Sequence, residues 1–206
     1  AVAGPIRRAS VRMRSIVQQR FIFERRNQIK GHGYDEFSLF AELVQNAEDA
    51  YLQRESLGLP KLPTPPYIRF QYRRGFDGDL ALRIEHHGRP FNYWRHGSQE
   101  HKLFQEDVAR VLGSAGSFKP QTGQAMSGEP LIGRFGLGFK SVYLVTDRPR
   151  IHSREWHFEI EYGCIPKEIN APAAYDRWQT IIELPLLSEA REERDPTGER
   201  LISLLP

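Results

Sequence analysis

Glu42, Asn46 and Asp49 stand in the run Glu42-Leu43-Val44-Gln45-Asn46-Ala47-Glu48-Asp49-Ala50. In a helix they fall at i, i+4 and i+7, so all three project from one face. Glu42 and Asn46 are then one turn apart, roughly 6 Å along the axis. A carboxylate at that place can take a proton from water, and the amide oxygen beside it is a hard ligand that suits Mg2+. Taken alone, such a trio is also what an ordinary solvated helix face carries.

The helix that must hold them is legible. Phe37, Phe40, Val44, Ala47 and Tyr51 recur at three- and four-residue steps, which predicts a helix from about 36 to 54 with these residues as its buried stripe. Asp35 precedes it as N-cap. Upstream, residues 10–29 read as another helix, broken by Gly31-His32-Gly33. Four prolines make residues 55–66 a loop. Tyr67 to Arg73 and Leu80 to His86 alternate as strands around a turn at Gly75–Asp79, and a further helix is expected from about 99 to 112. Arg150 to Ser153, Trp156 to Tyr162 and Thr180 to Leu184 alternate like sheet, with a loop over Asn170–Arg177. The fold class expected is α/β, a two-layer sandwich of a mixed, mainly antiparallel sheet with helices on one face.

The 206 residues suit one domain with a sizeable core. No apolar run reaches the roughly 18 residues of a membrane span, and no apolar run follows the basic N-terminus as it would in a signal peptide. The single cysteine, Cys164, excludes an internal disulfide and points to a reducing, cytoplasmic setting. Residues 1–30 hold eight basic side chains against Glu24, a local +7 where the whole chain sums to +3. Such a segment can meet nucleic acid, another subunit or a bound phosphate, but no nucleic-acid motif accompanies it. The expected organisation is a basic helical segment over 1–34, a ligand-binding domain over 35–187 and a charged segment over 188–206 leading into a truncated linker.

Residues 113–132 combine glycines with Ser, Gln and Thr and show little apolar periodicity, the composition of a functional loop or lid. Next comes Gly133-Arg134-Phe135-Gly136-Leu137-Gly138-Phe139-Lys140-Ser141-Val142-Tyr143. Its three glycines open an apolar helical run, Phe139 to Val145, and glycines there let backbone N–H groups approach phosphates.

Three segments in this order resemble the GHKL ATPases (gyrase, heat-shock chaperone, histidine kinase and MutL), whose nucleotide site is the Bergerat fold. Residues 42–50 resemble the family's first box, "GRFGLGFKSVYLVTD" at 133–147 its glycine box, and Gln179-Thr180 the late threonine of the adenine site. The likeness spans roughly residues 15–186 and is strongest to the heat-shock chaperone and sacsin-type branch. It implies ATP and Mg2+ as cofactors, slow ATP hydrolysis, Glu42 as the base that orients water and Asn46 as the metal ligand. Asp49, Ala50, His86, Gly88, Gly133, Phe135, Gly136, Leu137, Gly138, Phe139 and Thr180 are implied as nucleotide contacts. Lys119 in the lid and Lys140 in the glycine box are the lysines that could reach a β- or γ-phosphate. A client protein or a second copy of the chain is the implied partner; nucleic acid is unsupported by any motif, and no membrane is expected.

One position departs from that pattern. Where the family carries an Asp that accepts the adenine amino group, this chain has His86 in Ile84-Glu85-His86-His87-Gly88-Arg89-Pro90. Leu82, Ile84 and His86 share the inner face of the strand, so Glu85 points away and cannot substitute. A neutral imidazole can accept one hydrogen bond, so adenine recognition survives in altered form and should weaken below about pH 6. The alternatives to a hydrolysing domain are a nucleotide-sensing module with little turnover and the ATPase domain of a DNA-handling machine.

Overall fold

The structure is a computed structural model; it describes residues 20, 22–62, 65–74, 80–93, 106–112 and 138–187. The expected lid at 113–132, with Lys119, and Gly133, Phe135, Gly136 and Leu137 lie outside the described residues, as do the turn at 75–79, most of the basic segment and residues 188–206.

Asp35 starts the central helix, α2, as expected. Its carboxylate accepts from the Ser38 amide at 2.9 Å while the Ser38 hydroxyl accepts from the Asp35 amide, a reciprocal capping box. The helix runs Glu36–Ser56, preceded by α1, helical over 22–31. Gly33 then takes φ +80, a left-handed turn that glycine adopts without strain. A short helix, α3, spans Glu106–Leu112, and a 3-10 helix spans Phe139–Leu144. The glycine-led run therefore winds more tightly than an α-helix.

Among the described residues six strands form one sheet: β1 (Ile68–Arg74), β2 (Leu80–His86), β3 (Arg150–Ser153), β4 (Trp156–Glu161), β5 (Ile165–Glu168) and β6 (Thr180–Pro185), in the order β1-β2-β6-β3-β4-β5. Every pairing among the described residues is antiparallel, where a mixed, mainly antiparallel sheet was expected. Strand β5 was not anticipated. Its four residues, Ile165-Pro166-Lys167-Glu168, are all exposed at the sheet edge and carry no alternation to read.

The registers sort each strand into two faces. Phe70, Ile84, Ile182, Ile151 and Phe158 stand opposite one another across five strands. That row joins Leu39, Phe40 and Leu43 of α2, Ile22 and Ile29 of α1, and Val142 and Tyr143 of the 3-10 helix in one core. The buried stripe of α2 is thus Leu39, Phe40, Leu43 and Ala47. Phe37, expected inside, is 67% exposed, because it lies about 200° round the helix from Leu39.

The other face carries charge that is nonetheless buried. Arg83, Glu183, Arg150 and Glu159 are cross-strand neighbours in one row. Arg150 bonds Glu159 at 2.9 Å and Glu183 at 3.1 Å, and Glu85 is held by Arg69 at 2.7 Å and Arg83 at 2.9 Å. Opposite charges placed on adjacent strands attract each other, although Glu183 Oε2 is buried without a hydrogen-bond partner among the described residues. This charged face also confirms that Glu85 turns away from the helices.

Leu43→Ala should destabilise the chain by about 2–5 kcal/mol, the cost of a buried leucine cavity. Phe37→Ala should stay within about 0.5 kcal/mol of the parent. Urea denaturation of the two variants checks this: a larger loss in Phe37→Ala than in Leu43→Ala would mean that α2 buries the stripe read from the sequence and not the one described.

Candidate functional site

Glu42 is half-buried, and its two carboxylate oxygens meet different elements. The Tyr34 hydroxyl, from the turn after α1, donates to Oε1 at 3.0 Å. The other oxygen lies against Gly138: a Cβ built there would stand 2.5 Å from Oε2. Gly138 has ordinary helical dihedrals (φ -45, ψ -70), so glycine is needed here for space and not for conformation. Desolvation, then the hydrogen bond to Glu42, then its charge push the Tyr34 hydroxyl pKa above its usual value. That keeps Tyr34 a donor and fixes the direction of the carboxylate.

One turn on, Asn46 is exposed. Asp49 is exposed too, and partial desolvation, followed by the charge of Glu48, raises its carboxyl pKa. Ala50 closes the row by packing on the loop after β2. A Cβ on Gly88 would fall 2.6 Å from the Ala50 Cβ and 2.9 Å from its carbonyl carbon, and the Arg89 amide donates to the Ala50 carbonyl at 2.7 Å. Gly88 therefore lets the strand end sit on the helix.

His86 is 6% exposed, on the helix-facing side of β2, with the Tyr51 ring 6.1 Å away. Its cross-strand neighbour is Thr180, which is fully buried and whose hydroxyl meets that of Ser153 at 2.7 Å. Ser153 in turn accepts from the Phe91 amide. His86, Thr180 and Ser153 thus form one polar row at the end of the sheet; Ser153 carries no sequence signal beyond ending a strand.

The state of His86 corrects two expectations. Its Nδ1 accepts from the Gly88 amide at 3.1 Å, so the neutral ring holds its proton on Nε2. What it can offer is a donor, not the acceptor that an adenine amino group needs. Burial, and secondarily His87, push its pKa down to about 4, so the transition expected near pH 6 moves lower.

A salt link fixes the remaining loop. Arg89 grips Asp107 of α3 through both guanidinium nitrogens at 2.6 and 2.9 Å, while its Nε donates to Gln53 of α2. Asp107 also accepts from the Asn92 amide, so the start of α3, the loop after β2 and α2 are tied together.

Lys140 does not lie with Glu42. It is 3% exposed beside Arg25 and Cys164, and desolvation, more than Arg25, lowers its pKa to about 8. Phe139 packs on the core. Of the expected residues, the described structure therefore brings Glu42 to Gly138 and joins Ala50, Gly88, His86 and Thr180, while Asn46 and Asp49 face solvent between these two contacts. Among the described residues no helix is long and apolar enough to cross a membrane. In comparisons with known proteins, the chain matches no family model and no curated sequence.

Two buried histidines make stability depend on acid. His86 and His152 both have folded pKa values pushed down to about 4, chiefly by burial. Each is neutral when folded but gains a proton when unfolded below the ordinary value of about 6.5. Stability should therefore hold above about pH 6.5 and fall as pH drops toward about 4. Thermal denaturation of the parent and of His152→Gln across this window tests it; the fall should be shallower in the variant, and parallel curves would remove His152 as a cause.

Proposed function

We propose that the chain is a nucleotide-binding, Mg2+-dependent ATP-hydrolysing domain of the Bergerat type, in which Glu42 orients water and Asn46 holds the metal. The observation that carries this reading is the contact between Glu42 and Gly138. It sets a carboxylate, oriented by Tyr34, against the end of the glycine-rich run, with an exposed amide one turn along the same helix. A carboxylate with one oxygen held by a donor keeps the other to accept a proton from water. A neutral amide oxygen beside it suits Mg2+, which binds few protein ligands and keeps several waters. When bound, the metal would neutralise phosphate charge and hold it in line with the water. The backbone of the glycine run would cradle the phosphates, and the row His86, Thr180, Ser153 would meet the base.

The donor state of His86 shapes the expected ligand. A ring N–H pairs with N1 of adenine or with O6 of guanine, so this residue admits both purines. His86→Asp supplies an ionised acceptor and should favour adenine by roughly one to two decades, since a buried unsatisfied acceptor facing guanine costs about 1–3 kcal/mol. Titration of parent and variant with ATP and GTP decides; an unchanged ratio would mean that the base is read elsewhere.

Glu42→Gln should keep Mg-ATP binding and slow phosphate release by about 10²–10⁴, the usual worth of a general base. Gly138→Ala should mimic part of that loss without unfolding. The new methyl meets only the tip of a flexible side chain, so it displaces the Glu42 carboxylate at small cost in stability. Phosphate-release assays with thermal melts alongside separate the cases. Full turnover in Glu42→Gln would sink the assignment of Glu42, and ATP binding without phosphate release in the parent would leave nucleotide sensing without hydrolysis as the better reading.

A further inference from the structure

Both oxygens of the Glu42 carboxylate meet elements that lead back to helix α1. Oε1 takes its hydrogen bond from Tyr34, just past the end of that helix, and Oε2 lies over Gly138, where the 3-10 helix begins. The way α1 stops is what fixes Tyr34. Gly33, at φ +80, donates its amide to the Lys30 carbonyl at 2.9 Å, and Tyr34 donates its amide to the Ile29 carbonyl at 3.4 Å. These are the two bonds of a Schellman motif with Gly33 as its left-handed residue. Ile29 is buried, and Tyr34 packs against the same core, as the apolar pair of such a motif does. The last turn of α1 therefore aims the phenol at Glu42.

The body of α1 is anchored at the far end of the 3-10 helix. Arg26 donates to the Tyr143 carbonyl at 2.7 Å and engages Asp147. Carbonyls in the last turn of a helix lack partners within it, so this bond satisfies one of them. Ile22 and Ile29 bury the apolar stripe of α1 in the core. One helix thus fixes the donor on Oε1 and grips the segment whose start lies against Oε2.

We propose that α1 is the positioning element of the candidate site: anchored by Arg26 and closed by Gly33, it holds the Glu42 carboxylate through Tyr34, so hydrolysis depends on α1 and nucleotide binding does not. Arg26, Gly33 and Tyr34 act through Glu42 and are positioning residues. A glutamate has several staggered rotamers, and a base works only within hydrogen-bond reach of its water. Releasing Oε1 lets the carboxylate leave that reach while the ligands of metal and phosphate stay in place. Tyr34 has this role only if Glu42 is the base, as proposed above; the two claims fail on different observations.

Phosphate release and Mg-ATP affinity, the latter by calorimetry, are measured on the whole chain and its variants, with thermal melts alongside. Tyr34→Phe keeps the ring and removes only the donor. It should lower kcat by about tenfold or more, the worth of a hydrogen bond to a charged group, and leave the Kd for Mg-ATP within about threefold of the parent. Gly33→Ala should lower kcat by less, and Gly31→Ala should leave it unchanged. A Cβ at either glycine meets nothing within 4 Å, but only Gly33 has a positive φ. Arg26→Met, which keeps an apolar stem, should also lower kcat, whereas Glu24→Gln, in the exposed pair with Arg20 on the same helix, should not. In a Glu42→Gln background Tyr34→Phe should change kcat no further, where a merely structural defect would lower it again. A parent that releases phosphate, with Tyr34→Phe as fast, or with an equal loss from Tyr34→Phe in the Glu42→Gln background, overturns the role of α1 and leaves the ATPase reading standing. No phosphate release from the parent ends that reading and this role with it. Tyr34→Phe decides the case if Arg26→Met or Gly33→Ala unfolds.

Discussion

Helix α2 meets its neighbours at two glycines, one where only hydrogen fits against backbone and one where a larger side chain would move the Glu42 carboxylate. Near its start, Glu42 presses on Gly138; two turns later, Ala50 presses on Gly88. Neither glycine has a positive φ, so each is there because another group occupies the volume of its Cβ. The two approaches dock the helix against the 3-10 segment at one end and the end of β2 at the other. Between them lies the polar face with Asn46 and Asp49. The apolar face of the same helix rests on the sheet through Leu39, Leu43 and Ala47, so the position of the polar face follows from the packing of the apolar one.

Polar groups at this end of the molecule act as ties. The Tyr51 hydroxyl donates to the Tyr67 carbonyl and accepts from the Tyr67 and His87 amides, linking α2 to the start of β1 and the end of β2. Arg89 links α2 to α3 through Gln53 and Asp107. These contacts satisfy backbone and side-chain groups that irregular segments would otherwise leave bare. A site built across several elements keeps its geometry only if they are bound together in this way. The face of the sheet away from the helices solves a related problem with Arg150, Glu159 and Glu183: charge is neutralised strand by strand.

The long periodic elements were legible in the sequence. Asp35 with Ser38, the strand limits at Leu80 and His86, and the loop before Thr180 rest on caps, alternation and breakers, which act within a few residues. The opposed faces of Ile84 and Glu85 follow from the two-residue period of a strand. Errors came where local pattern admits two answers. Phe37 and Leu39 both begin apolar stripes on the same helix, and only the position of the sheet chooses between them. Strand β5 exists because β4 offers it an edge to pair with, and Pro166 and Lys167 give no hint of that.

Of the candidate site, the sequence determined which side chains share a helix face: Glu42, Asn46 and Asp49 owe that to the 3.6-residue turn alone. It also determined that His86 would look toward the helices. The tertiary structure decided the rest. It brought Gly138 under Glu42, engaged the His86 Nδ1 with the Gly88 amide, set Thr180 beside His86, and buried Lys140 near Arg25. Each outcome depends on groups distant along the chain or on a hydrogen bond formed only after a loop has docked. Periodicity records which way a side chain leaves its own backbone; the burial, proton position and neighbours it finds there are properties of the packed molecule.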